Sequence, residues 1–236
     1  MNIITRNKTY QLLAHAPIPV SVAGTVDETE LYSYTVIGGM LGKKGGLRIE
    51  LVFTNYINQT NAKILKVKFG STVLAELTVT ENPITKVIVT ITNRNDEASQ
   101  IYYVETEAQG MITINEDVIY ANEDTSTDKI ISVSAITSLE SAIAVGNDSL
   151  TCDIAEDGVD VIAHFPSHGN TYGDFVKIEG ANQTEYNGTW EIFGISPNYF
   201  HFTLPATASA SPATGPITAK RYSRITLEYC DIELLR

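Results

Sequence analysis

Runs in which apolar and polar residues alternate dominate the first two thirds of the chain. LRIELVFTNY (Leu47–Tyr56) alternates and then gives way to the polar NQTNAK. In KILKVKFG (Lys63–Gly70), Ile64/Leu65, Val67 and Phe69 are set against Lys63, Lys66 and Lys68. VLAELTVT (Val73–Thr80) follows, and then KVIVTITNRN (Lys86–Asn95), which places Val87, Val89 and Ile91 on one face. IYYVETEA and DKIISVSAI repeat the pattern. A period of two with one apolar face is the signature of a half-buried strand. The breaks are Gly-Ser, Asn-Pro, Asn-Asp and Gly-rich turns at short intervals, and no segment has the period of an amphipathic helix. The pattern predicts an all-β fold, a β-sandwich or jelly roll.

The texture changes at Gly146–Asp148. Six short β segments follow over 149–221: LTCDIA, VDVIAHF, DFVKIEG, GTWEIFGI, YFHFTL and GPITAKR. Between them lie SHGNTYGD, NQTEYNG and PATASASPATG, the last expected to be an exposed connection. The stretch is short for a large core, which predicts a small β-barrel-like or sandwich module. Beyond it, RITLEYCDIELL (Arg224–Leu235) alternates again, with an apolar face expected from Ile225, Leu227 and Tyr229 on toward Leu234. It has no strand partner nearby in sequence.

Charge narrows the function classes. Sixteen basic residues stand against 28 acidic ones, a net of −12 over 236 residues. Such a field opposes nucleic-acid binding, which needs clustered Lys and Arg. No stretch approaches the ~18 consecutive apolar residues of a membrane span. The N-terminal QLLAHA is too short and interrupted for a signal peptide, so synthesis in a cytoplasm is expected. Cys152 and Cys230 make no disulfide framework and are expected to pack as small apolar residues.

Candidate chemistry is sparse. GGMLGKKGG (Gly38–Gly46) is one residue short of a phosphate loop, has Lys44 where a hydroxyl is needed and leads into a strand. It reads as a turn. His164 and His168 have metal-ligand spacing only on a helix, and Pro166 and Gly169 deny one, so His168 is expected to order a turn instead. The acidic runs Asn115–Asp128 and Ala155–Asp160 suggest calcium, but a loop aligned on Asp153 fails, with Ala155 at its third position and His164 at its twelfth. They read as solvated loops, with an irregular calcium site the alternative. No nucleophile triad is evident, and no catalytic residue, cofactor or metal is expected. Tyr186 and Trp190, with Phe200 and Phe202 nearby, are aromatics that could stack on a sugar; the competing expectation makes Trp190 the core anchor of the small module.

Four segments carry a family resemblance. The turn into a strand at Gly39–Ile49, the run Asn61–Gly70 and the ending Ile225–Leu235 resemble a β-sandwich domain that recurs in structural proteins of tailed bacteriophages. His168, Gly169, Gly173, Asp174, Val176, Ile178, Gly180 and Tyr186–Trp190 resemble a second phage-associated module. The resemblance implies a discontinuous β-sandwich of residues 1–148 and 222–236, with the module of 149–221 inserted before its last strand. It also implies a non-enzymatic virion structural protein, a capsid decoration or cement protein or small appendage. Such a protein would form a homotrimer and bind major capsid or tail proteins, with neither nucleic acid nor membrane as partner. The alternative is a receptor-binding or tail-tip protein whose inserted module touches host-surface glycan through Tyr186 and Trp190.

Overall fold

The computed structural model describes residues 10–55, 62–79, 84–108, 111–114, 119–139, 143–144, 150–155 and 158–236. The chain is all-β, as its alternation predicts. Eleven strands come first: β1 (Tyr10–Ala16), β2 (Val20–Val22), β3 (Thr29–Val36), β4 (Gly46–Asn55), β5 (Lys63–Phe69), β6 (Thr72–Val79), β7 (Ile84–Asn93), β8 (Gln100–Ala108), β9 (Met111–Ile114), β10 (Ile119–Ala121) and β11 (Lys129–Ile136). Then come β12 (Ile143–Ala144), β13 (Leu150–Ala155), β14 (Gly158–His164), β15 (Phe175–Glu179), β16 (Gly188–Glu191), β17 (Phe193–Ser196), β18 (Tyr199–Leu204) and β19 (Thr218–Arg221). The last is β20 (Ile225–Leu235). Among the described residues no helix is long and apolar enough to cross a membrane.

The strands form open antiparallel sheets, none closed into a barrel. One runs β1-β20-β4-β7-β8-β10, with β2 also on β20 and β9 on β8. It faces the sheet β3-β11-β5-β6. The core between them joins Leu47, Ile49, Leu51, Val87, Val89 and Ile91 to Leu65, Val67, Phe69, Ile131 and Val133. The Tyr102 hydroxyl crosses this layer to donate to the Val73 carbonyl at 3.3 Å. The other two sheets are β12-β19-β15-β16 and β13-β14-β18-β17. They enclose a separate cluster drawn from Val159 to Ala219.

β20 lies inside the first sheet. It pairs with β4 from Ile225↔Asn55 to Leu235↔Gly46, and on its other side with β1 and β2. The chain leaves the first pair of sheets and returns to it at one place. Leu139 forms a bridge with Tyr222, and the Ser223 N–H donates to the Ser138 carbonyl at 2.9 Å. Ile143–Ala144 already pairs with β19, so the second set of sheets begins ahead of residue 149.

Three local expectations change. Lys63 is fully buried and shares its face with Leu65, Val67 and Phe69, while Ile64 turns outward with Lys66 and Lys68; a strict period of two requires this parity. In β20 the register shifts between Leu227 and Tyr229. That bulge moves the inward set from Ile225 and Leu227 to Cys230, Ile232 and Leu234, and turns Tyr229 outward to donate to Glu50 at 2.7 Å. GTWEIFGI is not one strand: it is β16 in one sheet and β17 in the other, with buried Ile192 at the crossing.

Candidate functional site

The sequence candidates are mostly structural. The Tyr186 side chain is fully buried, and its hydroxyl donates to the Ala210 carbonyl at 3.0 Å. Its ring offers no face to a glycan, which corrects the expectation of a sugar contact there. Trp190 is half-buried and donates its indole N–H to the Tyr186 carbonyl at 2.9 Å. Its ring stacks on Phe202, centroid to centroid 5.5 Å and 14° from parallel, so it links the two sheets of the module. Phe200 and Phe202 are fully buried. The 205–215 connection is not simply exposed, because Ala213 is buried and Ala210 receives the Tyr186 hydroxyl.

Gly38–Gly46 is a turn. Gly39 and Gly42 take positive φ (77° and 53°), and the Gly38 N–H donates to the Asp128 carboxylate at 2.8 Å. The acidic run that ends at Asp128 ties loops together. Glu123 accepts from the Ser71 N–H and hydroxyl, both at 2.7 Å, and pairs with Lys129 at 3.3 Å. These contacts hold its carboxyl below the usual range against the burial that would raise it. Asp124 accepts from Ser126, and residues 115–118 lie outside the described residues. Asp160 faces His201 Nδ1 at 3.0 Å, while residues 156–157 lie outside the described set. No group of three or more His, Cys, Asp or Glu converges on a metal position among the described residues. Cys230 is a buried free thiol, pushed up to about 12 by burial and by Asp231; the side chain of Cys152 lies outside the described residues.

His168 does order a turn. Its Nδ1 accepts the Asn170 N–H at 3.0 Å, which leaves the proton on Nε2 to donate to the carbonyls of Ser196 (2.8 Å) and Tyr199 (3.2 Å). The loop from His168 to Asp174 is then pinned along its length. Arg221 donates to the Gly169 carbonyl at 2.6 Å and Arg224 to the Gly173 carbonyl at 3.0 Å. The Thr171 N–H donates to the Asp174 carboxylate at 2.8 Å, and the Gly173 N–H to the Ile192 carbonyl at 3.0 Å. Gly173 has φ +79°, and a Cβ there would lie 3.2 Å from the Arg224 guanidinium, so both the turn and the arginine need glycine.

At the tip of this rigid loop Tyr172 is 73% exposed. It borders an open groove of about 350 Å³, lined also by Glu191, Ile192, Phe193 and Thr203. The lining comes from three separated segments: the loop, the β16–β17 crossing and the outward face of β18. Thr203 is the register partner of Asp160 on β14, and His201 lies two residues before Thr203 on the same face. The rings of Phe193 and His201 are 5.9 Å apart. None of the groove residues was a candidate from sequence. The one signal available was Tyr172 itself, an aromatic between Thr171 and Gly173 in a polar turn.

The remaining polar clusters are ladders across sheets. On the outer face of the first sheet Glu50 gathers Arg48, Lys86 (2.7 Å) and the Tyr229 hydroxyl (2.7 Å). Burial opposes its charge, but these donors hold its carboxyl at about 2. Burial and the same carboxylate push Tyr229 up to about 12. On the facing sheet Glu28 joins Lys68, Ser134 and Lys66, which also bring it to about 2. Such shifts, each with a complete set of partners, mark structural ion pairs. No family model matches the chain, and no curated protein or solved structure matches it significantly.

Proposed function

We propose that the chain is a non-enzymatic structural protein of a tailed-phage particle, a capsid decoration protein or small appendage that works as a homotrimer beside major capsid or tail proteins. The observation that carries this reading is topological. β20 completes the first sheet after the chain between Leu139 and Tyr222 has been spent on a second pair of sheets with its own core. That is the two-part arrangement the sequence resemblance implies, with a module carried on a β-sandwich base.

Self-association has a physical motive on the same base. β1 is an edge strand among the described residues, and it exposes Tyr10 (53%) and Leu12 (57%). Ile18 (76%) and Val20 extend the apolar row. An uncovered apolar edge invites pairing, and closed cyclic contacts between copies would cover one. Two measurements test the proposal. Antibody labelling of particles purified from a producing culture should decorate a fixed site on the virion. Light scattering should give three times the 25.8 kDa chain mass. Absence of the chain from purified particles rejects the virion assignment, and a single-chain mass at every concentration rejects the trimer.

A further inference from the structure

We infer that the groove beside Tyr172 is a saccharide-binding site for a neutral sugar unit. This goes beyond the virion reading and stands without it. Tyr172 supplies the first requirement, an aromatic face in solvent on which the C–H face of a pyranose can lie. The pinned backbone around it confines the ordering cost of binding to the rotamers of the Tyr172 side chain itself. Glu191 and Thr203 supply the second requirement, directional partners for vicinal hydroxyls. Neither has an ion pair or side-chain hydrogen bond among the described residues, although both border the groove. Phe193 gives the floor an apolar patch, and a volume of about 350 Å³ is at the small end of ligand sites, enough for about one or two sugar rings.

Charge selects among sugars. Glu191 borders the groove and the whole chain carries −12; the nearest cations, Arg221 and Arg224, are engaged with the Gly169 and Gly173 carbonyls, and the Asp160 carboxylate faces His201. Sulfated, phosphorylated or sialylated glycans would meet the Glu191 carboxylate and the net negative field of the chain. A peptide strand is a poor occupant for a different reason. It would have to extend a sheet along β16 or β17, edge strands of four residues each, and β17 loses register between Phe193 and Ser196. A sugar needs no strand edge, only the ring face and the two polar groups.

The test uses the full chain against immobilised maltohexaose, cellohexaose, chitohexaose and lacto-N-neotetraose, with sialyllactose as the acidic probe. Binding to at least one neutral oligosaccharide is expected, followed by titration with that oligosaccharide in solution. Tyr172→Ala should weaken it by about tenfold or more. Glu191→Gln should weaken it with an unchanged melting temperature. Tyr120→Ala, an exposed tyrosine on the first pair of sheets, should change nothing. The inference is overturned if no neutral probe binds, if sialyllactose alone binds, or if binding survives both groove substitutions. Virion labelling does not enter any of these outcomes, so the two readings fail separately.

Discussion

Ending the chain after Ser223 should unfold the first pair of sheets, although most of their strands lie more than 100 residues earlier. β20 contributes five aliphatic side chains that are at most 6% exposed: Ile225, Leu227, Ile232, Leu234 and Leu235. Burying each is worth about 1.5–3 kcal/mol, or roughly 8–15 kcal/mol for the strand. A whole domain is stable by only about 5–15 kcal/mol, so the loss is of the same size as everything that holds the fold. The true value is below the extended-chain figure, because a denatured chain already buries part of this surface. The backbone loss acts in the same direction. β20 is hydrogen-bonded on both sides, so its removal strips β4 of a partner and leaves β1 and β2 with none among the described strands.

Calorimetry and circular dichroism of the truncated chain are the direct assay. The transition of the first pair of sheets should vanish, while a transition from the second pair persists. A graded variant guards against a product that merely aggregates. Ile232→Ala leaves the strand in place and opens a cavity at a fully buried position, at a cost of about 2–5 kcal/mol. It should lower the melting temperature by roughly 5–15 °C. A truncated chain that melts like the full one, or an Ile232→Ala variant with no shift, would falsify the placement of β20 at the centre of this core.

The converse deletion should be tolerated: because Leu139 and Tyr222 face each other, replacing residues 140–221 by two or three Gly/Ser residues spans a gap of about 5 Å, and the product should keep one cooperative transition. Loss of cooperativity in that product would show that the first pair of sheets leans on the second. Acid should destabilise the protein in a defined window. Glu28 and Glu50 have folded values of about 2 against an ordinary 4.5, so their contribution is complete above about 4.5 and is lost as pH falls toward 2. Stability measured by urea titration should fall through that window, and Glu50→Gln should flatten the slope; an unchanged slope rejects the assignment. Tyr186→Phe removes the hydroxyl that reaches the Ala210 carbonyl and should cost about 1 kcal/mol in the melt of the second pair of sheets alone.

The alternation of LRIELVFTNY and KVIVTITNRN made the strands legible, because a period of two with one buried face leaves few other choices. What alternation did not carry was parity within a run. In KILKVKFG the charge of Lys63 suggested the outward face, yet its position puts it with Leu65, Val67 and Phe69, and the backbone period overrides the residue type. In GTWEIFGI the pattern ran on smoothly while the chain changed sheets at Ile192, which the loop beneath anchors through the Asp174 carbonyl at 2.9 Å. The loop PATASASPATG had the composition of an exposed connection but seals Tyr186, a contact set by the fold of the module rather than by its own residues.

The candidate site was less legible than the fold for a reason that the module itself shows. Aromatic residues that stand out in sequence are large enough to be needed in the core of a module this small: Tyr186, Phe200 and Phe202 lie inside it and Trp190 packs half-buried against it. The aromatic left for a ligand is then the one on a turn. There the His168, Arg221 and Arg224 hydrogen bonds support the backbone and the side chain has nothing to bury against. Glu191 and Thr203 become its neighbours because one strand run breaks at Ile192 and β18 returns beside it. For the proposed groove, the residues that hold the loop in place are therefore a more direct pointer than the aromatic motif. His168 and the two arginines are the side chains whose loss should loosen the loop that carries Tyr172, although none of them lines the groove. His168→Ala should raise amide exchange across Asn170–Asp174 and weaken sugar binding. Unchanged exchange in that loop would show that the arginines alone suffice to fix it.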